Sequence, residues 1–104
     1  MPAPSPQAQI VKEAWIGDAV LTLYARLKIL REDGRLDGEK SIRMTSNRFL
    51  SGIGEPASVE AEVGRVYERQ GLEVASAWIE TNLIPLFDRQ EENRSKNSQS
   101  RNRR

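Results

Sequence analysis

Two carboxylates carry the chemistry this chain offers. Asp18 interrupts Trp15-Ile16-Gly17-Asp18-Ala19-Val20-Leu21-Thr22-Leu23-Tyr24, a run otherwise almost wholly apolar. A carboxylate there is expensive to bury unless it is paired, hydrated or coordinated. Gly17 beside it weakens a helix by roughly 1 kcal/mol relative to alanine. Two locally unfavourable neighbours in a strong helical pattern mark a candidate site, because local rules tend to be broken where function requires it. Glu60, in Val59-Glu60-Ala61-Glu62-Val63-Gly64, is a second acid in a partly apolar setting. Two carboxylates from two packed helices can hold Mg²⁺, which often takes only one or two protein carboxylates and fills its shell with water and phosphate oxygens. Such an ion activates water and stabilises a leaving oxygen in phosphodiester cleavage. The plain alternatives are a solvated Glu60 and an Asp18 that caps a helix or pairs with Arg43 or Arg48.

The composition removes most other chemistry. The 104 residues contain no cysteine and no histidine. Disulfides, thiolate or imidazole metal ligands, a cysteine nucleophile and histidine acid–base catalysis are therefore absent from this sequence. Length predicts one domain with a single modest core. With six aromatic residues that core should be mainly aliphatic, and a dimer would help it bury more surface. The first six residues lack a basic-then-apolar leader pattern, and no apolar stretch is long enough to span a bilayer. The expected location is the cytoplasm, with no membrane contact.

The elements that must position these acids read as helices. Residues 1–7 are proline-rich and expected to be disordered, 8–88 form the domain, and 89–104 are expected to be a disordered basic tail. From about Ala8 to about Arg31, Ile10, Ala14, Gly17, Leu21 and Tyr24 recur every three or four positions. Val11, Trp15, Val20, Leu23 and Leu27 cover much of the remaining circumference, so this helix should be buried on most sides, by its own domain or by a partner chain. Asp33-Gly34 and Asp37-Gly38 end it. A second helix is predicted from Glu39 to Ser51, with Ile42, Met44, Phe49 and Leu50 on its apolar side. Gly52-Ile53-Gly54-Glu55-Pro56 stops that helix, and Pro56 suits the first turn of the next, Ala57 to Arg69. Gln70-Gly71 reads as a C-cap. Leu72, Ala75, Trp78, Ile79, Leu83, Leu86 and Phe87 predict a last helix over 72–87, kinked or ended by Pro85. Glu62 should point away from Glu60, and Glu13 should be solvated. Glu32, Asp33 and Glu39, near the turn, read as outer contacts to the site or as a solvated loop. The fold class is all-α, with about four helices.

Charge is unevenly placed. Residues 93–104 hold five basic residues and no acid, which leaves −4 on the rest of a chain of net +1. Such a tail can bind nucleic-acid phosphates through counterion release, or be simply solvated. Lys40, Arg43 and Arg48 carry the same two readings.

The motifs, in order, resemble the ribonuclease III domain. Glu13-Ala14-Trp15-Ile16-Gly17-Asp18-Ala19-Val20-Leu21 is similar to its signature helix. Thr45-Ser46-Asn47-Arg48-Phe49-Leu50 is similar to its Asn/Ser-x-x-Phe-Leu segment. Glu60-Ala61-Glu62-Val63-Gly64-Arg65-Val66-Tyr67, followed by Gln70-Gly71-Leu72-Glu73-Val74-Ala75, looks like its later glutamate helix. The resemblance covers most of residues 10–84. It implies a homodimeric, Mg²⁺-dependent endoribonuclease for double-stranded RNA, with Mn²⁺ able to substitute. Asp18 and Glu60 would be its catalytic, metal-binding acids. Lys40, Arg43 and Arg48 would contact RNA, and Val11, Ala14, Trp15 and Gly17 would lie at the dimer interface.

Two positions depart from the family. Its acid before the aromatic is Ala14 here, and its aspartate one turn before the later glutamate is Ala57. Helical segments between its second and third motifs are also missing, and no double-stranded-RNA-binding domain is expected to follow. The Mini-III branch likewise lacks that domain and part of the acidic cluster yet still cleaves, and this chain looks like a shortened member of that branch. The alternatives are a catalytically silent dimer that binds structured RNA, with a role in ribosome assembly, and a helical dimerisation module without RNA.

Overall fold

The computed structural model describes residues 5–102, which form an all-helical fold with no strand among them. The helices are α1 (Pro6–Asp33), α2 (Gly38–Thr45), α3 (Asn47–Leu50), α4 (Pro56–Asn82) and α5 (Ile84–Asn102). Helix α1 starts earlier than its periodicity predicts. The Ser5 hydroxyl accepts from the Ala8 N–H at 3.1 Å, and Pro6 sits in the first turn, where its missing N–H is no loss. Residues 1–4, the rest of the segment expected to be disordered, lie outside the described residues. The helix ends at Gly34, whose φ of 71° forms a left-handed cap and whose N–H reaches the Leu30 carbonyl.

Three expected boundaries change for local reasons. The predicted helix over 39–51 is two helices, because Ser46 turns extended and its hydroxyl caps α3 at the Phe49 N–H. Gly71 breaks the helical path within α4 as predicted, with φ 88° and ψ 177°. The last predicted helix divides at Leu83, and Pro85 falls in the first turn of α5, where proline is tolerated. Residues 89–102, expected as a disordered tail, continue α5 as helix, while 103–104 lie outside the described residues.

The packing of α1 against α4 organises the core. Leu21, Met44, Leu50, Val63, Ile79 and Leu83 are fully buried around it. Phe49 of α3 and Phe87 of α5 meet edge to face at 5.7 Å between ring centres. Ile42 and Leu72, expected on apolar inner faces, are substantially exposed.

At the α1–α4 crossing the two backbones touch. A Cβ on Gly17 would lie 1.7 Å from the Glu60 carbonyl oxygen, and one on Gly64 would lie 2.0 Å from the Glu13 carbonyl oxygen. The contact is reciprocal, so each glycine seats against the residue four before the other. Only hydrogen side chains allow this approach. Gly17→Ala is therefore expected to destabilise the fold by about 3 kcal/mol or more, since no side-chain movement relieves a backbone clash. Gly38→Ala, with nothing within 4 Å of the added carbon, should stay within about 0.5 kcal/mol of the parent. Urea unfolding followed by circular dichroism reads both.

Candidate active site at the helix crossing

The close crossing brings Asp18 and Glu60 together. Asp18 follows Gly17 on α1, and Glu60 supplies the carbonyl against which Gly17 packs on α4. Asp18 is exposed and Glu60 half-buried, so the pair stands at the rim of the crossing rather than inside it. Burial pushes the Glu60 carboxyl up to about 7, helped by its hydrogen bond with Asp18, by the Asp18 charge and by the more distant Glu55. Two carboxyl groups this close favour a shared proton or a shared cation. Neither alternative for Asp18 is realised: it is not paired with Arg43 or Arg48, and it caps no helix.

Glu55 is the next acid. It caps α4, accepting from the Ala57 and Ser58 N–H groups at 3.2 and 2.9 Å and from the Ser58 hydroxyl at 2.8 Å. Those bonds, the hydroxyl's first, hold its carboxyl below the usual range. Among the described residues no group of three or more acids, histidines or cysteines is arranged to hold a metal. The two acids that the crossing brings together, Asp18 and Glu60, are both hard oxygen ligands.

Glu13 corrects the expectation of a solvated side chain. It is buried, and Arg65 grips it with two bonds, Nε to Oε2 at 3.0 Å and Nη2 to Oε1 at 3.3 Å. Arg65 also bonds Glu62, three residues before it on α4. The Glu13 bond raises the Arg65 pKa above its ordinary value. Charge alone suggests solvent for Glu13, and its partner lies 52 residues away. The available signal was register, since Glu13 shares the helix face of Gly17, Val20 and Tyr24.

The predicted RNA contacts are divided. Lys40 pairs with Asp33 at 2.9 Å. Arg43 forks onto Glu91 of α5, with both bonds at 2.9 Å, and its pKa is raised by that bond. Arg48 is exposed. Of the predicted interface residues, Trp15 and Val11 are exposed, at 77% and 60%, and Ala14 is half-buried. Gly17 is a correction: its contact is with α4 of its own chain, which leaves it no surface for a partner.

Comparison with protein-family models, curated proteins and solved structures found no match to this chain.

The raised Glu60 pKa sets a pH dependence. The folded chain keeps a proton that the unfolded chain, with an ordinary value of 4.5, has already lost. Between pH 4.5 and about 7 the unfolded state binds fewer protons, so this group's contribution to stability falls as pH rises through that window. Glu60→Gln stays neutral throughout. It should match the parent near pH 4 and exceed it in stability near pH 8, as read by thermal unfolding across the window.

Proposed function

We propose that this chain is a Mg²⁺-dependent endoribonuclease that cleaves double-stranded RNA. The observation that carries the reading is the convergence of Asp18 and Glu60, far apart in sequence, on one rim of the closest helix contact. The ordered resemblance of the three motifs to the ribonuclease III domain, and to its Mini-III branch, supports the same reading. Asp18 and Glu60 would hold the ion, which when bound supplies an activated water and charge stabilisation at the scissile phosphate. Gly17 and Gly64 set the separation of the two acids by fixing the helix crossing. The Glu13–Arg65 pair holds that crossing from within and is spectator to the chemistry.

The homodimer belongs to the same proposal. Helix α1 is apolar around most of its circumference, and its own chain covers only one side. Val11, Trp15, Leu23, Leu27 and Leu30 remain exposed along the other. A second copy seated on that face would cover them, the usual two-fold solution for a self-complementary patch. No helix among the described residues is long and apolar enough to cross a membrane. RNA processing in the cytoplasm is the setting we propose.

A second reading, an inactive relative that binds structured RNA, is favoured by the small acid set, with alanine at positions 14 and 57. Cleavage of a long, perfect RNA duplex separates the two. Asp18→Asn and Glu60→Gln should each slow Mg²⁺-dependent cleavage by at least about a hundredfold. Cleavage unchanged in both would remove the assignment, and duplex binding without cleavage by the parent would establish the inactive relative. Sedimentation equilibrium tests the assembly: the parent should be a dimer and Trp15→Glu a monomer.

A further inference from the structure

A groove of about 410 Å³ lies where α2, α3 and α5 meet. Phe49 and Phe87 form its floor, while Arg43, Arg48, Gln90 and Arg94 line its walls. Arg43 is spent on Glu91. Arg48 and Arg94 are exposed and make no ion pair among the described residues. Three arginines against one carboxylate leave the groove at net +2.

The helix that supplies Arg94 is unusual beyond the groove. Its last buried residue among those described is Phe87, and it continues to Asn102, roughly 22 Å of helix past that point. A helix polar on all sides gains nothing from a core and needs side-chain pairs or a partner. The Glu92–Lys96 pair at 3.2 Å is exposed on both sides and contributes little. The segment from Asn93 onward carries only positive charge, with Lys96 and Arg101 following Arg94. A single bound phosphate would not need positive charge beyond the groove, whereas a nucleic-acid backbone offers repeated charges along its length.

The groove and the acid pair are joined by a short stretch of chain. Gly52, in the turn after α3, packs against Leu86 and Gln90 of α5. From Gly52 the chain reaches Glu60 within roughly 20 Å, by one short turn and the first turns of α4.

We propose that Arg48 and Arg94, with α5 beyond them, form the seat for the phosphate backbone of duplex RNA. Arg43 acts there as the brace that holds α5 to α2 rather than as an RNA contact. The proposal rests on the RNA reading above but not on cleavage. A duplex in this seat would be gripped through phosphates, without sequence preference.

The test is anisotropy of a labelled, perfect RNA duplex with the full chain, in EDTA so that nothing is cleaved, across a series of salt concentrations. R48Q/R94Q should weaken binding about tenfold at moderate salt and reduce the salt slope by about 2. R48K/R94K, which keeps the charges, should retain the parent slope. R26Q/R31Q removes two exposed arginines of α1 and should also retain it. A parent that does not bind the duplex, an unchanged slope in R48Q/R94Q, or an equal loss in R26Q/R31Q would each overturn the proposal. Absent cleavage with the expected slopes would sink the nuclease reading alone. Asp18-dependent cleavage with an unchanged slope in R48Q/R94Q would sink only this one.

Discussion

Everything in this fold is referred to the contact between Gly17 and Gly64. At most helix crossings, side chains separate the backbones and can repack when one of them changes. Here each helix rests on a carbonyl of the other, so the separation of α1 and α4 is set by backbone atoms. Close approach also favours weak Cα–H···O contacts, which recur at helix interfaces. The acids sit one residue from, or at, the touching positions. Their geometry follows from the crossing and does not need its own scaffold.

The same crossing treats two acids in opposite ways. Glu13 and Glu60 each stand four residues before a contact glycine, on α1 and α4 respectively. Arg65 reaches Glu13 and satisfies its charge inside the fold. Glu60 meets another carboxylate and is left with an electrostatic conflict. Perturbed groups of this kind gather at functional sites, although ion-pair networks perturb pKa values too. At Glu60 no basic side chain among the described residues resolves the conflict, so an ion-pair network is not its cause.

Much of the fold was legible. The 3.6-residue pattern of α1, the breaks at Asp33-Gly34 and Gly71, and proline at the head of α4 are local signals, and the backbone follows them. Asp18 and Glu60 stood out because carboxylates in apolar runs are rare. What was hidden depends on partners distant in sequence. The burial of Glu13 required Arg65, and the commitment of Arg43 required Glu91. The helix beyond Phe87 has no apolar stripe to announce it. Ser46 is a good cap residue, but the apolar positions Ile42, Phe49 and Leu50 on either side of it read as one helical stripe. Pro85 reads as a kink in a helix or its end, because Leu83, Leu86 and Phe87 share one apolar rhythm across the break. The activity and the assembly are less legible than the fold, since function resides in the site and not in the architecture.

Gly71 divides α4 in a way that reaches beyond its shape. Its backbone angles, φ 88° and ψ 177°, belong to a region that only glycine occupies comfortably, and they interrupt the ladder of amide bonds along the helix. The arm before it carries Glu60, Gly64 and Arg65; the arm after it carries Ala75, Ile79 and Glu80, the last bonded to Tyr24. A continuous helix would pass a twist or shift from one end to the other. An interrupted one confines it. Gly71 thus lets one helix be aimed twice, its first arm at the close crossing with α1 and its second, through Ala75 and Ile79, into the core.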